Sequence, residues 1–331
     1  MSDKRKTDHI ELAFSSKTTE NNKDIYYEPI LNAHPTTQLD LTQEFMGIEF
    51  KAPLWISSMT GGTQRANLIN KNLAIVAGEF GFGMGLGSCR PLLESNDRFS
   101  DFNQREHLGD NAFFINLGVA QLEQMIEENK LPQVEKLISS LKADGLIIHV
   151  NPMQEWFQPE GDRFKQSPLK TIEIVSNFLS TKLIVKEVGQ GFGPKSLECL
   201  MKLPLAAIEL SGFGGTNFSL LELSRHNAQK LDKEGSNNSL IHMGHSCDEM
   251  INWINPLVNS GDDIKCKSFI ISGGVSNIVD GYQLQNKLGA QSIIGMASSF
   301  LKHAEDIGQL REFVTMEIEN LKFCHNFIKG K

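Results

Sequence analysis

Residues 145–155, GLIIHVNPMQE, decide the fold. Leu146, Ile147 and Ile148 read as a fully buried strand, which Pro152 stops. His149 and Asn151 share a face by the two-residue strand period, while Gln154 and Glu155 fall in the loop just beyond. Four polar side chains thus crowd one C-terminal strand end, where parallel α/β proteins keep their sites.

Short apolar runs of this kind recur along the chain at 54–58, 82–86, 113–117, 145–150, 183–188, 206–210, 268–272 and 292–296. Helical periodicity fills the gaps, as with Leu68, Leu73 and Val76 or Leu137 and Leu141. Eight strands alternating with helices predict a (β/α)8 TIM barrel of the α/β class. A ninth apolar run, SLIHM at 239–243, is assigned to an insertion over 212–245, because polar residues precede it and a helical pattern follows. Ile307, Leu310, Phe313, Val314, Ile318 and Leu321 share one face of a terminal helix that caps or extends the barrel. Residues 1–50 are polar and broken by Pro29 and Pro35, so they are read as an extension folding over the barrel mouth, with the barrel spanning 51–331.

The 331 residues carry a net charge of −8, 40% hydrophobic and 22% charged residues, the balance of a water-soluble domain with a sizeable core. No basic stripe extends beyond Lys4-Arg5-Lys6, which argues against nucleic acid as a partner. No leader or membrane-spanning run is expected, and five scattered cysteines without a CxxC point to a reduced cytoplasmic setting.

Glycine and hydroxyl residues follow most of the strands: SSMTGGT (57–63), GLGSCR (85–90), KEVGQGFG (186–193), LSGFGGT (210–216), SGGV (272–275) and GMASS (295–299). Bare backbone N–H groups after the seventh and eighth strands are suited to a phosphate, so a phosphorylated cofactor is the natural occupant. A single SGGV turn carries little weight, since glycine also serves purely steric ends; three such turns in one barrel carry much more. Lys186 lies inside an apolar strand, and is either a paired structural lysine or a cation placed near a flavin. Asn116 is either a satisfied core amide or a cofactor contact. Glu155, beside Gln154, Asn151 and His149, is a plausible hard-oxygen ligand for Mg²⁺.

The motifs RKTDH (5–9), MTGG (59–62), GSCR (87–90), HVNPMQEWFQPEGDR (149–163), VKEVG (185–189), SGFGGT (211–216), SGGV (272–275) and GMAS (295–298) resemble the type 2 isopentenyl-diphosphate delta-isomerases. The likeness spans nearly the whole chain; HVNPxQE and the N-terminal RKxxH are its most specific parts. It implies that Met59, Thr60, Gly61, Ser88, Asn116, Lys186, Ser211, Thr216, Gly273, Gly274, Ala297 and Ser298 hold FMN. Arg5, Lys6, His9, Ser88, Arg90, Asn151 and Gln154 would bind the diphosphate substrate, Glu155 would bind Mg²⁺, and Gln154 and His149 would be the catalytic side chains. NAD(P)H would reduce the flavin, and the family expectation is a homo-oligomer, tetramer or octamer. Three positions depart from the family pattern: Ser276 replaces an arginine, MGHSC (243–247) replaces WGxPT, and Cys89 replaces the glutamine of GSQR.

Interconverting isopentenyl and dimethylallyl diphosphate adds a proton to the terminal alkene carbon and removes another from the allylic carbon. The barrier is a charge problem, for which the resemblance implies reduced FMN as acid or base and Mg²⁺ on the diphosphate. Two other readings compete. An FMN-dependent 2-hydroxy-acid oxidoreductase needs a histidine base and an arginine clamp near the sixth strand, and 207–218 contains neither. A non-catalytic flavin-binding barrel is the reading outside the enzyme classes.

Overall fold

The computed structural model describes residues 2–18, 25–35, 39–58, 61–226, 238–260 and 263–330. Eight parallel strands close into a barrel: β1 (Leu54–Ile56), β2 (Gly83–Ser88), β3 (Phe113–Gly118), β4 (Gly145–Val150), β5 (Lys182–Glu187), β6 (Ala207–Glu209), β7 (Ser268–Ile271) and β8 (Gln291–Met296). Each strand pairs with the next in sequence, and β8 returns to β1 through Ile294 opposite Leu54. All eight predicted strands are present. The run at 239–243 forms a 3-10 turn, Ser239–His242, and stays outside the sheet.

Residues that alternate small and large fill the barrel interior. A methyl group on Gly85 would meet Ile147 Cδ1 at 2.5 Å, and one on Gly295 would meet Ile270 Cγ2 at 2.8 Å. Glycine at these places admits the branched side chains of nearby strands. Trp55 and Phe114, both without exposed surface, pack edge to face at 5.8 Å lower in the same core.

Helix boundaries follow local chemistry. Thr63 Oγ1 accepts from Ala66 N at the start of helix Gln64–Phe80, and Gly81 closes it in the left-handed conformation. Ser246 and Glu249 form a reciprocal capping box on helix Cys247–Asn259. The terminal helix Ile307–Phe327 buries Leu310, Val314 and Leu321. It packs between helices Gln64–Phe80 and Ile278–Lys287, so it is the eighth helix of the ring itself and not an addition to it.

Residues 1–50 hold more structure than their polarity suggests. Helix Ser2–Leu12 is followed by strand Ile25–Tyr27, which pairs antiparallel with Ile328–Gly330. Gln43–Phe45 and Ile48–Phe50 form a hairpin through Met46 and Gly47, both at positive φ, burying Phe45 and Phe50. Gln43 Nε2 donates to Ser292 O and Gln291 Nε2 donates to Glu44 O, both at the start of β8. This part of the extension therefore closes the N-terminal end of the barrel, opposite the mouth. No helix of the described residues is long and apolar enough to cross a membrane.

Candidate active site

The C-terminal strand ends enclose one cavity. Ser57 and Ser58 after β1, Lys186 on β5, Glu209 and Ser211 at β6, Gly214 to Thr216 beyond it, Ser272 to Ser276 after β7, and Ala297 with Ser298 after β8 line it. Seven residues expected to hold the cofactor meet there: Lys186, Ser211, Thr216, Gly273, Gly274, Ala297 and Ser298. Met59 and Thr60 lie outside the described residues. Gly61 abuts β2, since a methyl group on it would stand 3.2 Å from Ser88 O and against the Phe102 ring.

Two glycine turns bring backbone against backbone. Gly214, Gly273 and Gly274 all have positive φ, and a Cβ on Gly273 would lie 2.1 Å from Gly212 N. Ser211, at φ 46°, holds a left-handed conformation unusual for serine; its N–H donates to Ser272 Oγ at 3.2 Å. Several buried polar atoms in this wall have no protein partner: Ser57 Oγ, Ser58 Oγ and Glu209 Oε2. Unmatched polar atoms beside a side-chain-free cradle are what a polar ligand would satisfy. Ser276, at the edge, instead donates its hydroxyl to Asp280 Oδ2 at 3.0 Å.

Strand register carries the site sideways. Gly118, His149, Lys186 and Glu209 are successive Cα partners across β3, β4, β5 and β6, so they stand side by side at one level of the barrel. A register shift in β2 between Gly85 and Ser88 sets Ser88 opposite Asn116. Lys186 is buried and donates to Glu187 O at 2.7 Å. Glu187 points the other way; its Oε2 accepts from Gln190 N and Gly191 N, and burial pushes its carboxyl up to about 7. Cys89, the departure from the family pattern after β2, is a fully buried packing residue whose thiol burial pushes up to about 12.

His149 Nδ1 lies 2.6 Å from Asn116 Oδ1, so with the amide as placed Nδ1 carries the proton. Enclosure by protein, then the neighbouring Lys186 charge, lower its pKa to about 3, and the ring is neutral at physiological pH. The ring is only half-buried, and the solvent that reaches it tempers the energetic cost. Below pH 6.5 and down to about 3 the unfolded chain binds a proton that folded His149 does not, so stability falls as pH falls through that window. The expected contribution is on the order of 2 kcal/mol. Urea midpoints at pH 7 and pH 4.5 should converge in His149→Gln relative to the parent; an unchanged gap would reject this origin.

The motif beyond β4 forms a second cluster. Asn151, buried, donates through Nδ2 to Gln154 Oε1 at 3.1 Å and to Glu155 Oε1 at 2.9 Å. The other Glu155 oxygen accepts from Asp162 N at 2.7 Å. Gln154 Nε2 donates to Glu222 Oε1 at 3.3 Å, and Glu222, also buried, pairs with Arg225. Arg90 Nη1 stands 3.2 Å from Asp162 Oδ2, which also accepts from Gln121 Nε2 at 3.0 Å. Glu209, Glu222 and Asp162 are the residues the sequence reading missed. Glu209 had a signal, an acid inside the apolar run AAIEL, of the same kind that singled out Lys186. Arg5, Lys6 and His9 stand exposed on helix Ser2–Leu12, and no described hydrogen bond or ion pair ties them to the barrel. No group of three metal-ligating side chains occurs among the described residues.

No family model matches the chain. Among curated proteins, the isopentenyl-diphosphate delta-isomerase of Rickettsia bellii (strain RML369-C) is 35% identical over 331 residues, covering 96% of this chain and 91% of the relative. That of Rickettsia africae (strain ESF-5) is 36% identical over 329 residues with the same coverage. Among solved structures, a mandelate oxidase variant with a monooxide FMN adduct aligns with a TM-score of 0.56 at 11% identity, covering 90% of this chain and 82% of that one. A flavocytochrome b2 variant with sulfite bound aligns at 0.57 and 16% identity, covering 90% and 70%. These two likenesses show the fold alone. Identity of this level along nearly the full length of both chains, joined to the barrel and to the HVNPMQE motif it presents at its mouth, places the protein in the family of isopentenyl-diphosphate delta-isomerases, of the type 2 form, and makes it an enzyme.

Proposed function

We propose that the cavity binds FMN and that the adjoining Gln154–Glu155 cluster binds the diphosphate substrate with Mg²⁺, interconverting isopentenyl and dimethylallyl diphosphate. The observation that carries this reading is the union, at one barrel mouth, of a glycine cradle after β6 and β7 and a buried carboxyl–amide cluster after β4, with β5 and its Lys186 between them. The residues present fit the cofactor. Gly214, Gly215, Gly273 and Gly274 would offer backbone to the phosphate, and Lys186 with the unmatched hydroxyls of Ser57 and Ser58 would be available to the rest of the cofactor. Bound and reduced, FMN would supply a negative surface and an acid or base beside the reacting alkene.

The chain's own residues divide the remaining work. Asn151 holds Gln154 and Glu155 in one orientation, so neither has to be ordered when substrate arrives. Gln154, linked to the Glu222 carboxylate, is the side chain with a route for a proton away from the alkene. His149, neutral and tied to Asn116, orients and does not donate as an imidazolium. Glu155 would supply a carboxylate to Mg²⁺, a hard ion that takes oxygen ligands from protein, substrate and water. Arg90, released from Asp162, would neutralise the diphosphate, joined by Arg5, Lys6 and His9 if helix Ser2–Leu12 folds onto the mouth.

NAD(P)H is the proposed reductant on the family resemblance, and five free cysteines suit a reducing cytoplasmic setting. A homo-oligomer fits the exposed apolar corner where Tyr27 stacks on Phe323 beside Ile30 and Leu31. Anaerobic protein reduced with FMN bound, given isopentenyl diphosphate and Mg²⁺, should yield dimethylallyl diphosphate. Absence of product from flavin-loaded protein would falsify the isomerase reading of this site.

A further inference from the structure

Glu209 is the single acid lining the cavity among the described residues, as Lys186 is the single cation. Its side chain has no exposed surface. One carboxylate oxygen, Oε1, accepts from Ser272 Oγ at 3.0 Å; the other, Oε2, has no protein partner. Leaving half of a buried carboxylate unmatched is costly unless something in the cavity answers it. The register supplies the candidate. Lys186 on β5 and Glu209 on β6 are Cα partners on the same face of adjacent parallel strands, which run about 4.8 Å apart. Lys186 Nζ, now on Glu187 O, has two further N–H bonds and lies within a side-chain rotation of Glu209.

We infer that Glu209 is a positioning residue that opposes Lys186 and thereby sets the reduction potential of the bound flavin; this rests on the cofactor reading above. Lys186 alone would stabilise the anionic reduced flavin strongly, because a cation in a water-poor wall acts at high effective strength. A carboxylate beside it shares that charge and holds the reduced form back. The same carboxylate also reaches the cradle. Ser272 Oγ, which donates to Glu209, accepts from Ser211 N, and Ser272 O accepts from Gly212 N at 2.7 Å. Glu209 thus stands beside the lysine in register on one side and is hydrogen-bonded through Ser272 to the left-handed Ser211 turn on the other. No proton or electron passes through it; its part is electrostatic.

The test is the midpoint potential of FMN bound to the full-length protein, read by dye equilibration without substrate. Glu209→Gln keeps the shape and the acceptor for Ser272 while removing the charge. It should favour the reduced flavin by about tenfold or more, which is about 30 mV more positive for a two-electron couple. Glu209→Met, of similar volume, should move the potential in the same direction; it also removes the acceptor for Ser272 Oγ, so its stability is expected to fall and the potential is read only on folded, flavin-loaded protein. Either variant with a potential equal to the parent's, or shifted downward, overturns the inference whatever happens to its stability. A parent protein that takes up no FMN would sink the cofactor reading and this inference together; one that takes it up and shows no shift in the variants sinks this inference alone.

Discussion

Glu155→Gln is expected to lower Mg²⁺-dependent turnover by about a hundredfold or more while leaving the yellow flavin spectrum nearly unchanged. The first reason is the lost charge, since an amide is a poor ligand for a hard divalent ion. The second lies in the wiring. Both carboxylate oxygens of Glu155 accept hydrogen bonds, one from Asn151 Nδ2 and one from Asp162 N. An amide in that place must turn its NH₂ group toward one of two donors. If it faces Asp162 N, the loop that carries the Arg90 partner shifts as well. The variant should therefore raise the apparent Mg²⁺ requirement and the KM for substrate together. Steady-state rates across a Mg²⁺ series, with absorbance spectra of the same samples, check this. Loss of flavin with metal dependence unchanged would refute the metal assignment.

Gly273→Ala should abolish flavin binding outright. The new Cβ would lie 2.1 Å from Gly212 N and 2.2 Å from Gly212 O, both backbone atoms that cannot rotate aside. The backbone also sits at φ 85°, where any residue with a Cβ is strained. Contact and conformation thus fail at once, and the turns after β6 and β7 must part. Gly109→Ala is the comparison: it too has positive φ, but nothing lies within 4 Å of the added methyl. It should lose about 1 kcal/mol of stability or somewhat more and keep its flavin. Purified yield, absorbance in the flavin bands and thermal melting of the two variants side by side separate strain alone from strain with collision.

The same contrast between local and assembled features explains what was legible in the chain. Each barrel strand announces itself as a short apolar run closed by glycine or a polar residue, so eight strands could be counted. The hairpin at 43–50 could not, because its strands are three residues long and carry Glu44 and Glu49 on their open face. Its core residues, Phe45 and Phe50, are recognisable only once the barrel floor beneath them exists. The terminal helix is legible along its buried face; its place in the ring is not, since the short helix Ser298–Leu301 and the charged Glu305-Asp306 step separate it from β8.

The site divides along similar lines. Gln154, Asn151 and Glu155 lie within one motif, and their mutual hydrogen bonds follow from that closeness. Glu222 joins them from a helix 68 residues further on, and no spacing rule connects it to Gln154. Asp162 sits inside the quoted motif yet gains its meaning from Arg90, which comes from another strand end. His149 reads as a candidate acid or base; in the structure burial, then the Lys186 charge, keep its ring neutral, and Asn116 orients it.

The lacing of Ile25–Tyr27 to Ile328–Gly330 has a consequence for the order in which the molecule is built. Those strands are separated by almost the whole chain, as are β1 and β8, whose pairing at Leu54 and Ile294 closes the barrel. The first seam waits for residues 328–330 and the second for residues 291–296, and each closes a loop whose entropy grows with the logarithm of its length. Everything from β1 to β7 can therefore assemble step by step, neighbour on neighbour. Helix Ile307–Phe327 then completes the wall, and the strand after it fastens Ile25–Tyr27 to the barrel. A nascent chain that stalls before that point is an open sheet with two bare edges, so the late seams mark the interval in which this protein is most exposed to misassembly.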